Sequence, residues 1–294
     1  MDLTTTFVRA KRPCTDGFRW FIRHFQKGSN YQDILDTLVE AGRVGDACWL
    51  LDQFGPTDGV RTLDELDAEA MVFAGTLEVR GNVHVDGLVR TGRNLRVLGG
   101  LRAGEGIRAG EDLKVEGSIH SGGWIDVGCD LRAGWGVRAA EQIRCGRDLR
   151  AGWAVQCGPL QAGGNVVIGL DLEADGEVRI RKGLQTGEDL MTSAGLHTGH
   201  GISTGGTIRC ASHLEAGWGI RAGGAILAEG SIRAGESLQA GDEIRAGDGY
   251  GVFAGLDVRM NSWAQCALVS ARQRPEGLMS GCWAGSPPAG EHIP

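Results

Sequence analysis

The sequence predicts a mainly β protein: a single-stranded β-helix with a small α-helical cap domain at its N-terminus. Three observations carry this. An aliphatic residue recurs at every sixth position over most of the chain. A small or β-branched residue follows two places later, and glycine usually comes next. The phrase LRAGW stands at Leu131–Trp135 and again at Leu149–Trp153, 18 residues on.

Counting in sixes from Leu77 gives fourteen aliphatic positions, the last at Val155. One residue is missing around Pro159, and the count resumes with seventeen positions from Leu160 to Leu256, of which only Tyr250 is not aliphatic. Residues i and i+2 of a strand face the same side, so the aliphatic and small residues point inward. The residue between them points outward and is often arginine, as at Arg102, Arg108, Arg138 and Arg233. Glycine at the next place suits a sharp corner with φ > 0. A three-residue strand and a three-residue corner make one face. Three hexapeptide faces make an 18-residue coil, and the two LRAGW copies should stack about 4.8 Å apart. The run amounts to about ten coils, a rod of roughly 50 Å. A helix is excluded, because six is not a helical period and glycine is too frequent.

The ends follow other rules. Residues 1–58 read as a helical head. FRWFIRHF carries a helical apolar stripe at Phe18, Phe21, Ile22 and Phe25. Ser29-Asn30-Tyr31-Gln32 fits a capping box with Gln32 at N3, followed by the stripe Tyr31, Ile34, Leu35, Leu38, Val39 and a closing Gly42. A third helix, DACWLLDQF, ends at Gly55-Pro56. An open solenoid end exposes strand edges and an apolar cross-section, so the head is expected to lie over it as a cap. Residues 59–76 read as an irregular first coil, with Val72 and Ala74 anticipating the pattern. The β-helix proper spans 77–260. Over 261–294, Asn261–Ala267 suggests a last strand, and a Pro/Gly/Ser-rich irregular tail follows, either disordered or anchored by Trp283.

Glycine accounts for 50 of 294 residues, far above the ~7% of ordinary proteins. The strict triplet of collagen is absent, and the regular aliphatic residues argue against disorder. A net charge of −7 speaks against a nonspecific nucleic-acid binder. No apolar run is long enough to span a membrane. The N-terminal MDLTTTFVRAKRPC lacks a signal-peptide core, and eight cysteines without such a signal read as reduced thiols. A cytoplasmic protein is expected.

Few side-chain constellations point to chemistry. Trp135 and Trp153 share a corner of adjacent coils, with Arg132 and Arg150 nearby on the same face; Trp124 and Trp218 hold comparable corners elsewhere. The tryptophans are either an aromatic platform for a partner or a ladder that shields the corner. The arginine rows alternate with acids such as Asp112, Asp130 and Asp148, which reads as a solvated surface of mixed charge. Cys145, Cys157 and Cys210 fall at the inward small position and act as small hydrophobes. Thr186, Thr192, Thr198 and Thr204 occupy successive inward positions, either as a hydroxyl ladder or through simple β-propensity. His197 and His200 flank a corner and His213 lies about one coil on; they read as exposed polar fillers, with metal binding as the lesser alternative. No metal site, no cofactor and no catalytic residues are expected: there is no C-x-x-C, phosphate loop or nucleophile elbow, and the run from 77 to 256 has no inserted loop on which to build a site.

The order of large residue, small residue, glycine differs from that of the hexapeptide acyltransferases, where glycine directly follows the aliphatic. IRAGGAILAEGSIRAGESLQAGDEIRAG (220–247) resembles the bactofilin class of polymer-forming, Gly-rich β-helices. That resemblance, over about 77–258, implies a right-handed coil and end-to-end assembly. Three functions follow. The first is a non-enzymatic binding protein that engages a macromolecule, most readily a protein, through its flat faces or helical head; inhibitors, immunity proteins and anti-defence proteins belong here. The second is a bactofilin-like structural polymer. The third is an acyltransferase-like enzyme. A head over one end would stop a filament, which favours the binding protein and leaves open a homo-oligomer through the C-terminal end.

Overall fold

The computed structural model describes residues 2–25 and 28–286. The head comprises four helices, α1 (Thr5–Ala10), α2 (Thr15–His24), α3 (Tyr31–Glu40) and α4 (Val44–Phe54). Its core joins Phe21, Tyr31, Ile34, Leu35, Leu38, Leu50 and Leu51, the stripe positions of three helices. The N-cap of α3 is Asn30, whose Oδ1 accepts the Gln32 N–H at 3.0 Å. The capping box expected from Ser29 does not form, and the Gln32 side chain turns away to another task.

From residue 60 onward the chain winds as a β-solenoid of three parallel sheets. The strands Leu131–Ala133, Val137–Ala139 and Ile143–Cys145 make one coil and define faces I, II and III. Leu131 pairs with Leu149 and Val137 with Val155, each 18 residues on. Ile143 pairs with Leu160, so the missing residue is absorbed at the corner before Pro159. Leu131 and Ala133 are buried and Arg132 is exposed, the alternation the period demands.

The solenoid is longer than ten coils. Face I has 13 strands, face III 12 and face II 11, so the chain makes about thirteen turns, a rod of roughly 60 Å. The first coil consists of Val60–Leu63, Leu66–Ala68 and Met71–Phe73. Its strands pair with Thr76, Val83 and Val89 of the next coil at steps of 16, 17 and 18, which hid them from a strict period. Met71 and Phe73 take the inward register, and Val72 faces out. At the far end the sixes stop at Ile244. The next core position is Val252, paired with Ile232 twenty residues earlier. Tyr250 and Leu256 are exposed rather than core. Gly249, at φ +79°, makes the turn that breaks the register. Where a strand was expected over 261–267, a 3-10 turn (Met260–Ser262) and a helical turn (Trp263–Cys266) form instead. Strands Leu268–Ser270, Leu278–Ser280 and Cys282–Gly285 then close the rod, and Trp283 packs on its core.

The corner glycines are required, but not for positive φ. Every positive-φ glycine lies outside the regular coils between 77 and 244. What demands glycine is stacking: a Cβ on Gly134 would lie 2.0 Å from the Glu116 carbonyl oxygen of the preceding coil. Side chains hold the corners as well. The N–H of Asp130 donates to Asp112 Oδ1, that of Asp148 to Asp130 Oδ1, and that of Asn165 to Asp148 Oδ1, at 2.8–3.2 Å. These aspartates form an axial ladder that satisfies backbone donors, rather than a merely solvated surface.

The inward threonines do not form one continuous ladder. Thr186 and Thr204, neighbours on face I, share a 2.8 Å hydroxyl bond. Thr192 and Thr198, on other faces, donate to the backbone carbonyls of Gly176 and His200.

The head docks on the side of face III as well as at its end. Val72 and Ala74 belong to the head's core. The Gln32 amide spans the edge strand, donating to the Val72 carbonyl at 3.1 Å and accepting the Ala74 N–H at 2.9 Å. Gln32 thus substitutes for a missing strand. Arg90, the next outward residue of face III, is buried against α4, where it pairs with Asp52 and donates to the Cys48 carbonyl at 3.1 Å. Burial alone would lower the Arg90 guanidinium, but its bonds to Asp52 and Cys48 more than offset this and leave its pKa raised. Arg61 takes the register position beneath Leu77; its guanidinium covers the Phe73 ring at 4.8 Å and pairs with Asp36 of α3 at 2.7 Å.

Candidate functional site

The corner between faces I and II carries the most exposed aromatic surface of the coils. The Trp153 N–H donates to the Trp135 carbonyl at 3.2 Å. That backbone step sets the two indoles in a parallel stack, with centroids 5.4 Å apart and planes within 8°. Both rings remain more than half exposed, at 54% and 57%. Leu170 continues the row one coil later, its N–H donating to the Trp153 carbonyl. Val167, beside Arg150 on face I, is also partly exposed. Trp153 and Leu170 form one wall of a shallow groove of about 500 Å³ over face II, with His120, Arg138 and Gln156 on its floor. Trp153 therefore borders a concave surface, and Trp135 stacks on it one coil earlier.

Arg132 and Arg150 are adjacent on face I, as expected, and each lies near an aspartate of the ladder, Asp130 at 3.5 Å and Asp148 at 3.9 Å. These are exposed pairs, contributing about 0–1 kcal/mol each. Trp218 and Trp124 lie elsewhere. Trp218 sits at the corner after face III, stacked on His200 at 4.1 Å. Trp124 begins a face III strand and lies flat over Gly106, where a Cβ would approach its ring to 2.8 Å. The four tryptophans thus mark three different corners and do not form one site. Leu170 and Val167, which complete the apolar row, escaped the sequence reading because the one-residue deletion shifts their spacing.

The buried thiols are held neutral. Desolvation raises Cys145 to about 11 and Cys157 to about 12, and raises Cys210 as well. Among the described residues no group of His, Cys, Asp or Glu is placed to hold a metal ion, and every buried side-chain nitrogen or oxygen has a partner. His197 approaches Glu215 at 3.5 Å and His213 bonds Ser231 at 3.1 Å, each across one coil step.

The fold defines the class: a long parallel β-solenoid joined to a small helical head. Residues 1–54 match the family model described as the YdhT N-terminal domain. The match covers the head and ends before the first coil, so it describes that part alone. The matched family is not the bactofilin class, and that likeness rests on the repeat pattern. Neither the curated proteins nor the solved structures give a match.

Proposed function

We propose that this chain is a non-enzymatic binding protein, a rod whose face I–face II corner engages a protein partner, as an inhibitor or immunity-type protein would. The exposed Trp135–Trp153 stack carries this reading. Two large aromatic rings held rigid by a backbone ladder give contact area at little entropic cost, and tryptophan is enriched at interface hot spots. The adjoining groove supplies polar groups for a rim. The thiols with raised pKa values are buried and protonated at neutral pH, which makes them poor nucleophiles. All eight cysteines are free, which supports a reducing, cytoplasmic setting. Among the described residues no helix is long and apolar enough to cross a membrane.

The test is retention of partners from cell extract by immobilised full-length protein and by a W135S/W153S variant. Both rings are exposed, so the variant should fold. At least one protein held by the parent chain should be lost from the variant. Identical retention would overturn the assignment of this corner.

A second reading, a bactofilin-like polymer, draws support from the far end of the rod. There Leu256, Met260 and Met279 are exposed, Met260 almost fully at 97%. Such residues favour self-association through that end. The head at the other end favours a closed pair of chains over a filament.

A further inference from the structure

A second groove, of about 600 Å³, runs along face III and the corner that follows it. It crosses five coils and is lined by Arg144, Arg179, Arg181 and His197, with Asp126 the one acid among its lining residues. Its charge is opposite to the −7 of the chain as a whole. Asp126 is already engaged by Arg108 at 3.4 Å, and Arg179 by Glu177 at 2.8 Å. Arg144 and Arg181 are exposed, and neither has an ion pair or side-chain hydrogen bond among the described residues. The corner row that follows face III is Gly128, Gly146, Gly163, Arg181 and Gly199. Arg181 stands where its row otherwise has glycine, so a lone guanidinium projects beside a floor without side chains.

We propose that this groove binds an acidic, extended peptide segment of a partner protein, with Arg144 and Arg181 receiving its carboxylates. Arginine suits the task because its planar fork takes a carboxylate through two parallel hydrogen bonds. Arg144 and Arg181 belong to coils two steps apart, since Ile143 pairs with Leu160 and Leu160 with Val178. Two strand spacings amount to about 10 Å. On an extended segment in the polyproline II conformation, carboxylates three residues apart face the same side and span about the same distance, at about 3.1 Å per residue. A nucleic acid would need cations at every phosphate step. Here Gln161 and Asp126 interrupt the row, Glu215 follows it, and the acidic chain repels a long polyanion. The groove is separate from the Trp135–Trp153 corner and does not depend on that site's role.

The experiment is fluorescence anisotropy of full-length protein with three labelled probes: a peptide with glutamate at every third position, its lysine counterpart, and an oligothymidylate of equal charge. The acidic peptide should bind saturably, and more weakly as salt rises. The R144Q/R181Q variant should bind it roughly tenfold less tightly, whereas R102Q/R221Q, which removes two exposed arginines elsewhere, should match the parent. Circular dichroism should show both variants folded, since none of these side chains is buried. The proposal is overturned if the acidic peptide does not bind, if R144Q/R181Q binds it as well as the parent does, or if the oligothymidylate binds more tightly than the peptide.

Discussion

The side-chain amide of Gln32 accepts the backbone N–H of Ala74, 42 residues away, at 2.9 Å. A helix of the head thereby completes the hydrogen bonding of the first face III strand. Replacing Gln32 with leucine keeps the bulk but strands both edge groups, and should cost about 1–3 kcal/mol. Amide exchange should accelerate selectively at Ala74, whose N–H the Gln32 oxygen accepts. Unchanged exchange there would mean that the amide does not hold the head.

The axial ladder at the corner before face I depends on acceptor geometry, not charge. Asn94 and Asn165 serve in the same row as Asp112, Asp130 and Asp148. Asp130→Asn should therefore be nearly neutral, while Asp130→Ala should lose about 1 kcal/mol in chemical denaturation. Equal losses in the two variants would assign the role to charge.

Glycine substitutions should divide sharply. Gly134→Ala brings a Cβ against a backbone oxygen of the preceding coil and should unfold or severely destabilise the rod. Gly45→Ala, in α4 with nothing within 4 Å, should instead stabilise by about 0.5–1 kcal/mol. Thermal melts distinguish the two directly.

The core thiols set an alkaline limit on stability. Cys145 rises from 9.0 to about 11 on folding, and Cys157 from 9.0 to about 12. A group whose pKa is raised by folding contributes stability in full below its unfolded pKa and loses it as pH rises toward the folded value. Unfolding free energy should thus be flat with respect to these thiols below pH 9.0, then fall up to about pH 11 and 12, at up to ~1.4 kcal/mol per pH unit for each thiol. The C145A/C157A variant should flatten that slope. Thiol reagents should modify exposed Cys14 and Cys266 in the native chain, and Cys145, Cys157 and Cys210 only after unfolding.

The coils were legible in the sequence because each repeats one physical constraint. Leu131 and Leu149 are equivalent core positions, and the period names them. The ends were less legible because no period applies there. The first coil closes in steps of 16 and 17, and the last turns at Gly249 two residues late. Gln32 and Arg90 each act through two polar partners about forty residues away, which leave no local pattern. The aspartate ladder did leave a signal, the same residue type at coil spacing before three successive face I strands, at Asp112, Asp130 and Asp148. The Trp135–Trp153 stack was legible for the same reason, whereas the groove beside it needed the third dimension.

The head packs on the face III side of the first coil, at one end of the solenoid, and the function proposed for the chain is partner binding as a discrete rod. The most direct measurement is the mass and shape of the full-length protein in solution, by light scattering after size exclusion with electron microscopy of the same fractions. A single species of one or two chains, with no filaments at any concentration, is the expected result. Filaments from the full-length chain would contradict the account and show that the head does not close the end on which it sits.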